Sequence, residues 1–140
     1  MIKRKILFAI VLSLSIISAS LSFAACPNVV GDWDFTVYKV IYDSNTQHYS
    51  YTTLKGVFHI VNQSGCRFYG NREIQGNPQS PITGVMEAVS QAKFPISWST
   101  NDAIYDGFLS GYESSSGQYT KITYRILQPN GAGKGTATRR

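Results

Sequence analysis

The feature that most constrains this chain is a series of short runs, beginning after Cys26, in which apolar and polar residues alternate. The runs are rich in Val, Ile, Thr, Tyr and Phe, are separated by Gly, Asn, Ser and Pro, and show no helical period. They predict an all-β fold, an eight-stranded antiparallel up-and-down barrel, with a two-sheet β-sandwich as the alternative. The predicted strands lie at about 32–42, 52–62, 66–74, 82–90, 93–100, 104–111, 118–127 and 133–139.

The N-terminal segment has the layout of a secretory signal peptide. Basic residues at 3–5 precede an apolar run over 6–17, and small residues at 24–25 offer a cleavage site. We therefore expect a signal peptide over 1–25 and one exported domain over 26–140, either periplasmic or secreted. An uncleaved anchor is the alternative, but the apolar run is short for a membrane-spanning helix. No transmembrane segment is expected in the mature chain.

Removal of the signal changes what the charge implies. The whole chain has 13 basic and 8 acidic residues and a formal net charge of +5. Because the signal holds three of the basic residues, the mature part carries 10 basic and 8 acidic residues and a net charge of +2. So small an excess does not predict binding to nucleic acid.

Cys26 and Cys66 are the only cysteines. An even number of cysteines in an exported chain favours a disulfide between them. The alternative is that Phe23-Ala24-Ala25-Cys26, which resembles the bacterial lipoprotein cleavage box, directs acylation of Cys26. Acylation would anchor the protein to a membrane and would leave Cys66 without a partner.

Several motifs resemble those of the lipocalin and avidin superfamily of eight-stranded barrels. They are Gly31-x-Trp33 on the first strand, a terminal Arg139 or Arg140, and Phe94-x-Ile96-x-Trp98 followed by Tyr105-Asp106-Gly107-Phe108. The resemblance implies that Trp33 closes the base of the barrel and that Arg139 stacks over it. The polar residues with which avidins hold biotin have no counterpart between Asp34 and Tyr38, so biotin is not the expected ligand.

Strand parity in an up-and-down barrel assigns each loop to one end. Cys26, Cys66, Trp33 and Arg139 fall at one end, which we call the base, and most of the predicted long loops fall at the other, which we call the mouth. The residues expected near the mouth are Tyr42, His48, Tyr49, Tyr51, Arg72, Gln75, Asn77, Trp98, Asn101 and Tyr105. Because a tyrosine combines an apolar ring with a polar tip, we expect ligand contacts from five of these residues. They are Tyr42, Tyr49, Tyr51, Trp98 and Tyr105.

Other motifs do not predict a reaction or a cofactor. Residues 131–136 read like a phosphate-binding loop, but no helix can follow them, so we expect a turn and a closing strand. His48 and His59 lack further metal ligands at suitable spacing. Glu73, Glu87 and Asp106 could supply paired carboxylates, but the strand phase of Glu73 and Glu87 points outward. We therefore expect no enzyme activity, no metal and no cofactor.

Two hypotheses for function follow. The first is an exported barrel that binds a small apolar or amphipathic ligand at its mouth. The second is a protein-interaction module, such as a periplasmic hydrolase inhibitor, and a plain envelope protein is a further possibility. An open apolar cavity deeper than the mouth favours the first hypothesis, whereas an interior filled by side chains favours the second. The interior candidates are Phe35, Phe58, Phe68, Phe94 and Phe108.

Overall fold

Eight antiparallel strands close into one barrel in the computed structural model, which describes residues 25–88 and 93–140. Each strand pairs with its neighbours in sequence, and β1 pairs with β8 to close the ring. The strands are β1 (Gly31–Asp43), β2 (His48–Ser64), β3 (Arg67–Ile74), β4 (Ser80–Met86), β5 (Phe94–Ser99), β6 (Ile104–Glu113), β7 (Gln118–Gln128) and β8 (Gly131–Arg139). The predicted all-β, up-and-down barrel is confirmed, and the sandwich alternative is wrong.

The strand boundaries depart from the sequence prediction at two places. β2 begins at His48 rather than near residue 52, because β1 and β2 continue as a hairpin as far as the pair Asp43 and His48. Tyr49 and Tyr51 therefore lie on a strand and not in a loop. β4 ends at Met86, and residues 89–90 of the predicted strand lie outside the described residues, as do residues 1–24 of the predicted signal peptide.

The barrel interior is filled with aromatic and aliphatic side chains. Phe58 lies at its centre, stacked on Phe35 at 4.3 Å between ring centroids and edge-on to Trp98, Tyr105 and Tyr124. A space of only about 10 Å³ remains among the side chains nearer the base. Such packing matches the expectation that an eight-stranded barrel is just wide enough for its side chains to fill.

The prediction that Phe108 faces the interior is wrong, because its side chain is 49% exposed. β6 carries apolar residues on both faces, so alternation alone did not fix its phase. The inward positions are taken by Tyr105, Gly107 and Leu109. A Cβ added at Gly107 would lie 2.2 Å from the Thr123 carbonyl oxygen of β7, so a larger residue does not fit there without a shift of the backbone.

β8 is the strand that resembled a phosphate-binding loop. Its glycines face inward, opposite large side chains from neighbouring strands. A Cβ at Gly135 would lie 2.7 Å from the Tyr124 hydroxyl, and one at Gly133 would lie 3.0 Å from the Cγ of Lys39. The glycines of β8 therefore leave room for Tyr124 and Lys39 inside the barrel.

The base is sealed by the segment that precedes β1. The predicted Cys26–Cys66 disulfide is present and joins this segment to the start of β3, with 5.2 Å between Cα atoms. The bridge uses the Cys26 thiol, which acylation would also need. Val29 and Trp33 are fully buried, and the Trp33 indole nitrogen donates a hydrogen bond to the Val29 carbonyl oxygen at 2.9 Å. The Arg139 guanidinium lies 4.8 Å from the centroid of the Trp33 ring.

The connections at the mouth cover residues 44–47, 75–79, 100–103 and 129–130, and those at the base cover 65–66 and 114–117, while between Met86 and Phe94 residues 89–92 lie outside the described part of the chain. Connection length therefore does not distinguish the mouth from the base. The prediction that most of the long loops lie at the mouth is wrong. Within residues 25–88 and 93–140, no helix is long and apolar enough to cross a membrane.

Candidate functional site

A cavity of about 320 Å³ opens at the mouth of the barrel, above the filled interior. Its volume lies at the lower end of the range that small-molecule sites occupy. The apolar part of its wall comes from inward-facing residues of β1, β2, β3 and β7 and from the β3–β4 loop, whereas its polar groups come from β1, β3, β6 and the β3–β4 and β5–β6 loops. The lining residues are Phe35, Val37, Lys39, Leu54, Arg72, Ile74, Asn77, Pro78, Asp102, Tyr105 and Ile126.

Arg72 organises the polar side of this cavity. It faces inward from β3 and is only 8% exposed. One terminal nitrogen donates to the Tyr105 hydroxyl at 2.7 Å, and the other lies 2.9 Å from a carboxylate oxygen of Asp102. Its Nε atom is buried and has no hydrogen-bond partner among the described residues. A guanidinium held on two sides in this way is a rigid donor group.

Asp102 approaches Arg72 from the β5–β6 loop and is about half exposed. The Thr100 hydroxyl donates to the same carboxylate oxygen at 2.8 Å, and the Gln128 amide donates to the other at 3.3 Å. Burial alone would raise the pKa of Asp102, but the Thr100 hydrogen bond and the nearby Arg72 charge lower it below its ordinary value. Asp102 is therefore ionised at neutral pH.

Lys39 is the second cation of the cavity. It lies on the inward face of β1, in phase with Phe35 and Val37, and is 8% exposed. In the described part of the chain, no carboxylate lies within 4 Å of its amino group. Burial, with a smaller effect from Arg72, lowers the pKa of Lys39, and Asp102 only partly opposes the shift. The cavity thus holds two cations and one anion.

Tyr105 forms the boundary between the cavity and the filled interior. It is 2% exposed, and its ring stacks on Trp98 at 4.9 Å between centroids with an interplanar angle of 7°. Burial raises the pKa of the Tyr105 hydroxyl, although the hydrogen bond from Arg72 opposes that effect. The hydroxyl is therefore neutral and can orient Arg72.

The structure separates the five residues predicted to contact a ligand. Tyr105 lines the mouth cavity, whereas Trp98 is buried behind it and does not line the cavity. Tyr42, Tyr49 and Tyr51 lie on the outer wall, where Tyr42 and Tyr49 pair across the hairpin with 5.1 Å between ring centroids. Tyr51 is 82% exposed. The predicted set therefore forms an interior pair and an exterior group.

Two larger concavities, of about 630 and 610 Å³, lie on the outer wall. The first crosses β3 to β6 beside Tyr69 and Val85, and the second crosses β2, β1, β8 and β7 beside Tyr38 and Tyr51. Both are open to solvent. The mouth cavity is smaller but holds buried charged groups, which makes it the stronger candidate.

His59 occupies the outer face of β2, as its strand phase predicts. Its Nδ1 lies 2.7 Å from Asp32 and its Nε2 lies 2.9 Å from Glu73. The hydrogen bond with Glu73, followed by that with Asp32, raises the pKa of His59. Among the described residues, no group of three His, Cys, Asp or Glu side chains is arranged to hold a metal ion. This network is a surface charge cluster near the base.

Strand parity predicts Arg72 as a mouth residue, but the sequence pattern assigns no role to Lys39 or Asp102. The inward position of Lys39 could have been predicted from the sequence, because a lysine in phase with Trp33, Phe35 and Val37 must face the interior. The contact between Asp102 and Arg72 could not have been predicted, since Asp102 lies in a loop and reaches Arg72 only because the barrel closes.

No protein-family model matches the chain, and comparison with curated proteins gives no match.

Proposed function

We propose that this protein is an exported, non-enzymatic barrel that binds a small amphipathic ligand in its mouth cavity. The observation that carries the proposal is the cavity of about 320 Å³, whose wall combines apolar side chains with the polar groups of Lys39, Arg72 and Tyr105 and exposes more polar than apolar surface. Sites for small molecules commonly combine a largely apolar wall with a few placed polar groups.

The filled interior limits what can bind. A long apolar ligand would need the space that Phe58, Trp98 and Tyr105 occupy, and their mutual packing leaves no passage toward the base. The ligand is therefore short. Its apolar part would contact residues such as Leu54, Ile74 and Ile126, while its polar part faces the charged side of the cavity.

The disulfide supports the proposed location. Cys26 and Cys66 are bridged, and disulfides persist mainly in oxidising compartments outside the cytosol. Together with the predicted signal peptide over 1–25, the bridge favours a periplasmic or secreted protein.

Calorimetric titration of the purified mature chain with octanol and octanoate tests the proposal. We expect saturable binding of at least one of these probes and a loss of binding in Leu54→Trp, because the larger ring occupies the cavity. Thr53→Trp is the matched control, since the adjacent side chain is exposed on the outer wall. If neither probe binds the wild type, or if Leu54→Trp binds as the wild type does, the mouth cavity is not a ligand site.

A second candidate function is protein interaction, favoured by the aromatic group on the β1–β2 hairpin. Tyr49 and Tyr51 are 68% and 82% exposed, and exposed tyrosines are common anchors at protein interfaces. The filled interior favours this hypothesis over a deep ligand cavity, so the first proposal depends on the shallower mouth cavity alone. Inhibition assays against a lysozyme and a serine protease test it. Inhibition that Tyr49→Ser and Tyr51→Ser weaken would support it, and absence of inhibition at micromolar concentration would count against a hydrolase-inhibitor role.

A further inference from the structure

We infer that the ligand of the mouth cavity is a monoanion, with a carboxylate placed between Lys39 and Arg72, and that Asp102 is the internal group with which it competes. The inference rests on the proposed function and adds to it the charge of the ligand. Three charged side chains line the cavity, and they are unequally paired. Arg72 contacts Asp102, whereas Lys39 has no carboxylate within 4 Å among the described residues.

Lys39 gives the first part of the argument. Only 8% of the residue is exposed, and no carboxylate of the described residues lies within 4 Å of its amino group. Burial of an unpaired charge is costly, so a lysine at this inward position has no evident structural benefit. Its lowered pKa shows the same cost. An anionic ligand would supply the partner that the chain does not.

Arg72 gives the second part. Its terminal nitrogens are engaged by Tyr105 and Asp102, but its Nε is buried with no acceptor among the described residues. A guanidinium binds a carboxylate best through two parallel hydrogen bonds. A ligand carboxylate that took the place of the Asp102 carboxylate on the terminal nitrogen would therefore compete with Asp102 for the same guanidinium.

The charge balance selects the class of ligand. Lys39 and Arg72 carry two positive charges and Asp102 carries one negative charge, so the cavity has a net charge of +1. A carboxylate neutralises this excess, whereas a cationic ligand adds to it. A neutral alcohol can use the apolar wall but leaves Lys39 without an ionic partner.

Loop residue Asp102 makes the inference testable in both directions. It is anchored at the rim by Thr100 and Gln128, and it is about half exposed, so its replacement does not open the filled core. Asp102→Asn keeps the shape of the side chain but removes the competing charge. The same change raises the net charge of the cavity by one unit.

The experiment is calorimetric titration with octanoate, octanol and octylamine. For octanoate, we expect Lys39→Met to weaken binding about tenfold and Asp102→Asn to strengthen it about threefold or more. For octanol, neither substitution should change the dissociation constant by more than about twofold. Octylamine should bind more weakly than octanol to the wild type.

The matched controls are Lys55→Met and Asp106→Asn, which make the same changes in net charge on the outer wall. They should leave octanoate binding unchanged. If Lys39→Met and Asp102→Asn leave octanoate binding unchanged while octanol binds, the inference is overturned and the proposed function stands. If no probe binds, both fail. Equal losses for octanoate and octanol in Lys39→Met would show a change in cavity shape and would also overturn the inference.

Discussion

The base and the mouth of this barrel are built from the same alternation of side chains but differ in how well their inward cations are paired. At the base, the Trp33 indole nitrogen donates to the Val29 carbonyl oxygen, and Arg139 donates to Gln118 and to the Asn28 carbonyl oxygen, both at 2.7 Å, although its Nε, like that of Arg72, is buried without an acceptor among the described residues. At the mouth, Lys39 has no ionic partner among the described residues and the Nε of Arg72 has no acceptor there.

This difference indicates what each end is for. A sealed, cross-linked end with largely satisfied polar groups stabilises closure of the barrel. Lys39, an inward cation with no hydrogen-bond or ionic partner among the described residues, does not serve stability, and such departures from optimal pairing are most often found at functional sites. Variants at the base should therefore change stability alone, and variants at the mouth should change binding.

The largest expected effect is at the base. Trp33→Ala should destabilise the protein by about 3–5 kcal/mol, because it removes a fully buried indole and the surface over which Arg139 lies. Urea unfolding followed by circular dichroism measures the change. Tyr51→Ala, at a position 82% exposed, should change stability by less than about 0.5 kcal/mol. A Trp33→Ala loss as small as that of Tyr51→Ala would refute the assignment of Trp33 as the closing residue.

The disulfide at the base should have an effect of similar size. Cys26 and Cys66 are separated by 40 residues, and the loss of a bridge of that span costs about 4 kcal/mol, mainly because the unfolded chain gains freedom. The double variant Cys26→Ser, Cys66→Ser and the wild type can be compared by urea unfolding. If the double variant is as stable as the wild type, the bridge does not secure the base.

The fold was more predictable from the sequence than the site, for a physical reason. Alternation determines strands and parity determines ends, so Trp33, Cys26 and Cys66 could all be assigned to the base from local pattern and chain order. The contact of Asp102 with Arg72 joins a loop to a strand 30 residues away and depends on barrel shear, which no local pattern encodes. Trp98 was expected at the mouth because strand parity puts the end of its strand there, but its ring packs below Tyr105.

At the mouth, Lys39→Met should act in the opposite direction from Trp33→Ala. Because it removes a buried charge, we expect the protein to become more stable by about 1–2 kcal/mol at pH 7. The pKa of Lys39 is lowered in the folded state, so ionisation of Lys39 destabilises that state below its folded pKa. This loss of folding stability disappears as the pH rises from the folded pKa of Lys39 toward its pKa in the unfolded chain, about 10.4.

Urea unfolding at pH 7 and pH 10 should therefore show a stability difference between Lys39→Met and the wild type that shrinks at the higher pH. Lys55→Met, on the outer wall, is the control and should show no such trend. A wild type that is more stable than Lys39→Met at pH 7 would mean that Lys39 contributes to folding, contrary to the contrast between the two ends.

The smallest effect is expected from His59 on the outer wall near the base. Its pKa is raised by Glu73 and Asp32, so its stabilising contribution is fully present below the unfolded pKa of about 6.5 and is lost as the pH rises through the folded pKa. His59→Asn should cost at most about 1 kcal/mol at pH 5.5, because solvent screens these exposed partners, and less at pH 9. Thermal unfolding at both pH values checks this, and a cost that grows with pH would contradict it.

The most direct test of the contrast between the ends is to locate a bound probe by intermolecular nuclear Overhauser effects. With octanoate bound, we expect contacts from its alkyl chain to the methyl groups of Leu54, Ile74 and Ile126 at the mouth, and none to Ile82, Ile96 or Ile122 in the filled interior. Contacts to the interior methyl groups, or only to the outer wall beside Tyr51, would contradict the account.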